Sequence, residues 1–210
     1  FKTILTLWAK FLLTPESCST LNSSENGWFS ETALNSARLR DFEYNFECDS
    51  TRPHWGFTSW DNFFTRKFRD GRRPVKYPHD DSIVVSAAEA TPFAVQTNVK
   101  LHDAFWIKSQ NYSLAHIMNN DTRAEQFVGG TVYQACLSPD SYHRWHAPVS
   151  GKIVSTAIVS GTYFSEPLFA GFSADSSMPT PGPGAIEVSQ GYISAVAARG
   201  IIFIQADNPD

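Results

Sequence analysis

The sequence predicts an α+β protein, with a helical N-terminal segment followed by a mostly antiparallel β domain. Three observations carry that reading. Phe1, Ile4, Leu5, Leu7, Trp8, Phe11 and Leu12 recur at the helical period. From Ser82 the apolar residues come instead in short β-branched and aromatic runs, at Ile83-Val84-Val85, Phe93-Ala94-Val95, Phe105-Trp106-Ile107, 131–137, 153–159 and 201–204. One helical stretch interrupts them, from Ser113 through Leu114, Ile117 and Met118 to Asn120. No internal repeat stands out.

Composition narrows the function classes. The chain has 210 residues, enough for one sizeable core or one domain with a smaller appendage. It is 42% hydrophobic and 14% aromatic, which suits an ordered fold and argues against disorder. A formal charge of -4 with Lys+Arg at only 17 gives no pull towards nucleic acid or an anionic membrane. Cys18, Cys48 and Cys136 are odd in number, widely spaced and without a disulfide framework, so a reducing, cytoplasmic setting is expected. No apolar run approaches the ~20 residues of a bilayer span, and no signal-peptide pattern is present. The first residue is Phe and not Met, so a processed chain or a fragment is expected.

In chain order, the first helix is expected to stop before Thr14-Pro15. Lys2, Thr3, Thr6 and Lys10 lie largely opposite its apolar side. Such a helix can lie on a membrane surface or dock on its own protein, and two lysines make a weak basic face, which favours docking. Ser19 to Gly27 reads as polar loop, and Ser30 as the N-cap of a short helix at Glu31-Thr32-Ala33-Leu34. Asp41 to Pro53 mixes acids and aromatics without a period. A further helix is expected from the cap Ser59 along the stripe Trp60, Phe63, Phe64 and Phe68, ending at Asp70-Gly71. The cluster Arg66, Lys67, Arg69, Arg72 and Arg73 can meet phosphates or form a solvated helix face, and the acidic total favours the solvated face. The helical region is drawn at 1–75 and the β-rich region at 76–210. Within the latter, 164–191 is rich in Pro, Gly and Ser and reads as a long loop on the β body.

The stretch with the most chemistry is 138–148, where His143 and His146 stand three residues apart. Pro139 and Pro148 at its ends make a long helix unfavourable, so a turn or irregular segment is expected, fed by a strand at 130–137 and left by one at 152–159. Histidine exchanges protons near neutrality. From the residues alone, three readings stand in order: partly buried aromatics wedged among Trp145 and Tyr142, proton transfer, and a metal site. A zinc site needs at least one more ligand, and no cysteine falls in a C-x-x-C pair.

With these segments placed, several resemble one family, the phosphatidylserine decarboxylases. Trp60 to Val75 (WDNFFTRKFRDGRRPV) resembles their F-x-x-F-F-x-R segment. Ser86-Ala87-Ala88-Glu89-Ala90 is similar to their S-P-A-D-G stretch, and Phe105 to Leu114 to their F-x-I-K-G-x-x-Y-S-L. Tyr142-His143-Arg144-Trp145-His146-Ala147-Pro148 resembles their Y-H-R-x-H-x-P and is the most specific piece. The soluble fungal branch that acts on free L-tryptophan is similar nearly end to end. It shares F-K-x-x-x-x-x-W-x-x-F-L at Phe1 to Leu12, G-W-x-x-x-x-A-L at Gly27 to Leu34, A-A-R at Ala197 to Arg199 and F-I-x-A-D-N at Phe203 to Asn208.

The resemblance implies a decarboxylase that removes CO₂ with a pyruvoyl group made from its own backbone. A serine after a glycine attacks the preceding carbonyl to form an ester, and elimination and hydrolysis then cut the chain and leave pyruvoyl at the new N-terminus. That serine needs a base oriented by a carboxylate. The resemblance assigns the base to His146 and the carboxylate to Glu89, where the family usually has an aspartate, one methylene shorter. A surface acid at a strand end is the plainer reading of Glu89. The pyruvoyl carbonyl forms a Schiff base with the substrate amine and draws electrons from the breaking Cα–COO⁻ bond. The resemblance assigns the carbanion's proton to His143. Trp145 and Phe105 either wall the pocket or pack the core.

The family's L-G-S-T or G-G-S segment follows the F-I-x-A-D-N strand, so the pyruvoyl-forming serine is expected beyond Asp210. Gly129-Gly130-Thr131 precedes the histidines and is no substitute. The 210 residues are therefore expected not to self-process and to be inactive alone, as a truncated product or fragment. The expected substrate is a free aromatic, tryptophan-like L-amino acid, or phosphatidylserine through its headgroup. The branch features and the lack of a span favour the amino acid. The alternatives are phosphatidylserine decarboxylation in phosphatidylethanolamine synthesis and a non-catalytic binding protein derived from the fold. No metal, nucleic acid or transmembrane segment is expected; the one protein partner implied is the chain's own C-terminal α chain after self-cleavage of a full-length parent.

Overall fold

The computed structural model describes residues 2–36, 38–102, 113–138, 140–163, 192–193 and 196–208. Helices α1 (Lys2–Leu12), α2 (Glu31–Leu34), α3 (Phe42–Asn45) and α4 (Trp60–Phe64) precede the first strand. Strands β1 (Thr91–Thr97), β2 (Thr131–Cys136), β3 (Gly151–Val159) and β4 (Arg199–Ala206) follow, with α5 (Leu114–Ile117) between β1 and β2. β1 pairs with β2 and β3 with β4. The antiparallel sense of the first pair shows just past its end, where Val99 and the 129–130 backbone exchange hydrogen bonds of 3.2 and 2.8 Å. This is the α+β class expected from the apolar texture. The expected strand at 105–107 and the loop at 164–191 lie outside the described residues.

The residues fall into two compact units, one of 1–93, 135–152 and 206–210 and one of 94–134 and 153–205. The first is built on aromatic rings. Phe63, 1% exposed, is its hub, with ring centroids of Trp28 at 5.3 Å, Phe57 at 5.6 Å, Phe29 at 5.7 Å and Phe42 at 5.8 Å. Offset and edge-on pairs of this kind add about 0.5–1.5 kcal/mol each to the gain from burial. Phe42 and Phe46, both buried, come from the stretch 41–53 that showed no period. No period showed because α3 is a single turn, too short to display one, and Phe46 lies just past its end.

Short helices need caps, and the expected serines supply them. Ser30 Oγ accepts from the Ala33 N–H at 3.2 Å and Ser59 Oγ from the Asn62 N–H at 3.0 Å. Each such bond is worth about 1 kcal/mol. α4 is shorter than the stripe to Phe68 predicts. Its last turn closes when Thr65 Oγ1 donates to the Asp61 carbonyl at 2.8 Å, and Phe68 forms a bridge with Phe46 in place of a helical turn. Expected strand 83–85 is also not formed; Val85 donates its N–H to the Pro148 carbonyl at 2.9 Å.

α1 corrects a third expectation. Its Leu5 and Leu12 are half-buried, but Ile4, Leu7, Trp8 and Phe11 are exposed at 65%, 60%, 58% and 37%. These four form one stripe, so docking on the described residues leaves the apolar face open. No helix among the described residues is long and apolar enough to cross a membrane.

In the second unit Leu114, Ala115, Ala124 and Phe203 are buried. Arg199 donates to the carbonyls of Ile117 and His116 at 3.0 and 2.8 Å, which satisfies the end of α5. Arg123 lies over the Phe203 ring at 4.1 Å and pairs with Asp121 at 2.6 Å.

Candidate active site

The histidine segment leaves β2 and enters β3, and 137–150 contains no regular element among its described residues, as the flanking prolines predict. Such a segment must be held by side chains, and two arginines hold it. Arg66, 2% exposed, donates through Nη2 to the carbonyls of Asp140 at 2.9 Å and Ser141 at 3.0 Å. Its guanidinium carbon lies 4.7, 5.1 and 5.5 Å from the ring centroids of Phe46, Phe63 and Phe42. Arg144 Nε donates in the other direction, to the carbonyls of Thr65 at 2.8 Å and Arg66 at 3.3 Å. The end of α4 and the histidine segment are thus laced from both sides.

Between those ties, the His143 ring stacks on Phe64 with centroids 3.7 Å apart and planes 22° from parallel. Tyr142 packs instead on Phe68 and Phe46, at 4.1 and 6.1 Å. His146 is exposed, and its backbone N–H donates to the Ala87 carbonyl at 2.9 Å. With Val85 bonded to Pro148, residues 85–87 run antiparallel beside 146–148, which brings the backbone of the Glu89 segment next to His146. The Glu89 carboxylate itself pairs with Arg73 Nη1 at 2.6 Å, and its side chain is 41% exposed. Three predicted site residues are therefore on neighbouring segments of one unit, while the ion pair that forms is Glu89–Arg73. Trp145 is 65% exposed, so it does not pack the core, and Phe105 lies outside the described residues.

The electrostatics follow from burial. Burial pushes the Arg66 guanidinium down to about 10, against the charges of Asp140, Tyr142 and Glu89, which hold it up. For Asp140, burial raises the carboxyl, but the Ser138 hydroxyl and Arg38, paired at 3.0 Å, outweigh it and leave the group below its ordinary range. Burial pushes the Cys48 thiol up to about 11, and also raises Cys18, so neither is a ready nucleophile. Among the described residues no three His, Cys, Asp or Glu side chains converge as a metal site requires.

Sequence reasoning missed Arg66 and Arg144. The basic cluster read as a solvated face, yet Arg66 is buried, Arg69 donates to the Glu43 and Cys48 carbonyls, and Arg72 stacks on Tyr44 at 3.4 Å. The available signal was aromatic density: Phe63, Phe64 and Phe68 bracket Arg66, and a guanidinium among rings is stabilised where a solvated lysine is not.

Known proteins are similar in sequence over this region. A family model described as phosphatidylserine decarboxylase matches residues 60–181, which takes in α4, Arg66, Glu89 and both histidines. A second model of that description matches residues 1–37. Decarboxylase iboD of Amanita muscaria is 43% identical over 216 residues, covering 100% of this chain and 62% of that protein. The L-tryptophan decarboxylase of Psilocybe cyanescens is 39% identical over 224 residues, covering 100% of this chain and 50% of that protein. Phosphatidylserine decarboxylase proenzyme 3 of Schizosaccharomyces pombe is 31% identical over 127 residues, covering 60% of this chain and 13% of that protein. The chain thus spans between half and two thirds of the length of the first two relatives. With one family model running over more than half of its residues and another over its N-terminal helices, the chain belongs to the phosphatidylserine decarboxylase family.

Proposed function

We propose that the protein of which this chain forms part is a pyruvoyl-dependent decarboxylase acting on a free aromatic, tryptophan-like L-amino acid in the cytoplasm. The observation that carries the reading is the pair of imidazoles on one laced segment, with His143 braced on Phe64 and His146 open beside the Glu89 segment. A pyruvoyl carbonyl, when present, supplies an electron sink for the bond to the departing carboxylate. The residues here fit such a group because they offer two imidazoles in different settings. The braced ring can deliver a proton to a fixed point, and the exposed ring can take one from a hydroxyl brought to it. Glu89, freed from Arg73, would orient His146 as a triad carboxylate does. Within this reading, 1–75 is a helical region and 76–210 the β-rich catalytic region, completed by the protein's own C-terminal α chain.

Support for an amino-acid substrate comes from the relatives that match this chain from end to end, one of which is named for L-tryptophan. The exposed stripe Ile4, Leu7, Trp8 and Phe11, with Lys2 and Lys10 on the same helix, favours a second reading in which a phospholipid headgroup is the substrate. Release of labelled CO₂ by the full-length protein separates them. Turnover of free tryptophan, with none of phosphatidylserine in vesicles, is the expected result. Turnover of phosphatidylserine alone would replace the first reading by the second, and turnover of neither would remove both.

A further inference from the structure

Arg66 is a cation at 2% exposure, and among the described residues no carboxylate lies within ion-pair distance of it. Its Nε–H is buried and without a partner among those residues. As core filler, an apolar side chain of similar length would cost less. What the guanidinium adds is a planar group wedged among three rings, with one nitrogen fixed on two consecutive carbonyls, Asp140 and Ser141. Those carbonyls end two residues before His143. Arg144, immediately after His143, returns the clasp to the carbonyls of Thr65 and Arg66. The ring of Phe64, next to Thr65, is the surface on which His143 lies.

We infer that Arg66 and Arg144 form a reciprocal guanidinium lock that positions the His143 ring. Each guanidinium clasps the backbone that carries the other, and the ring between them is fixed in place. They are positioning residues, acting through backbone carbonyls and through Phe64. A lysine at 66 keeps the charge but loses the planar group that stacks on the rings and spans the two carbonyls. An alanine at 144 removes the return clasp from an exposed position, where the fold bears the change. The consequence for turnover rests on the reading that His143 delivers a proton; the geometric claim does not.

The test uses full-length protein labelled on histidine for NMR, with the His143 signal identified by its loss in His143→Ala. Stacked on Phe64, the His143 ring protons should lie upfield of those of an exposed histidine such as His146. In Arg66→Lys and in Arg144→Ala that upfield displacement should be lost while the folded spectrum persists. Turnover should fall by about 10- to 100-fold with KM held, the scale for a group displaced by about an ångström. His143 protons unmoved in both variants would overturn the lock, whatever turnover does. Should Arg66→Lys fail to fold, Arg144→Ala decides alone by the same criterion. Protons that move without loss of turnover would leave the lock standing and remove His143 from the proposed chemistry.

Discussion

The imidazole of His143, in a segment that has no secondary structure of its own, is stacked on the ring of Phe64 at the end of α4, with centroids 3.7 Å apart. The contact joins the F-x-x-F-F-x-R element to the Y-H-R-x-H-x-P element, two pieces 79 residues apart at Thr65 and Arg144 yet hydrogen-bonded at 2.8 Å. Phe64→Leu should therefore lower turnover of the full-length protein by about 10-fold or more with little change in KM. Its effect on stability should stay near about 1 kcal/mol, because Phe64 is half-buried and Leu keeps most of its apolar area. Steady-state kinetics beside a urea melt checks both, and unchanged turnover with a large loss of stability would reduce Phe64 to packing.

Phe63 should behave in the opposite way. It is 1% exposed, at the centre of the first unit's rings, and its ring packs on Trp28, Phe29, Phe42 and Phe57. Truncating Phe63 to Ala leaves a cavity bounded by Trp28, Phe29, Phe42 and Phe57 and should cost about 3–5 kcal/mol. Set against a total stability of about 5–15 kcal/mol, that shifts the urea midpoint strongly. A shift corresponding to less than about 1 kcal/mol would show that the hub is not where the rings converge.

Much of this was legible in the sequence for physical reasons. The caps Ser30 and Ser59 sit where hydroxyl acceptors meet orphan N–H groups, and β1, β2, β3 and β4 lie on their β-branched runs. The irregular histidine segment followed from its prolines. Period failed where elements are a turn long, so Phe42 and Phe46 went unread. Charge counting failed at Arg66, since a chain total says nothing of where one guanidinium goes. The open face of α1 was misread because periodicity identifies an apolar side but not what covers it. Glu89 illustrates the last limit: a motif can name a carboxylate, but which cation it pairs with depends on a partner, Arg73, sixteen residues away.

Acid should loosen the histidine segment through Asp140. Its carboxyl titrates below its ordinary value of 3.8, because Ser138 and Arg38 together outweigh the opposing effect of burial. A depressed folded value means that the unfolded chain binds more protons, so this contribution is complete above 3.8 and lost as pH falls through the lowered value. Asp121, held down to about 2 chiefly by its hydrogen bonds from Arg123, behaves alike over 3.8 to about 2. Urea midpoints between about pH 5 and about pH 2 should fall in the wild type. The fall should be smaller in Asp140→Asn, with the Asp121 part remaining. An equal fall in both proteins would show that Asp140 carries no pH-dependent stability.

The two histidines should fail differently when the full-length protein is examined on a gel and in a CO₂ assay. Without His146, on the reading proposed, no base takes the serine proton, the backbone ester does not form and the protein stays one uncut band. Without His143 the cut should still occur, while turnover falls by ~100-fold or more, the usual scale for losing a general acid. Glu89→Gln should slow the cut as His146 loss does, but less, because the imidazole keeps its place and loses only its charge partner. Arg73 supplies the control. It holds the Glu89 carboxylate at 2.6 Å on a partly exposed surface, where such a pair is worth at most about 1 kcal/mol. Arg73→Gln should therefore leave stability nearly unchanged and leave the cut as fast as in the wild type or faster, since it releases the carboxylate towards His146. If Arg73→Gln slows the cut as much as Glu89→Gln, the carboxylate works through Arg73 and not through His146. If His143→Ala blocks the cut while His146→Ala permits it, the two imidazoles have exchanged roles.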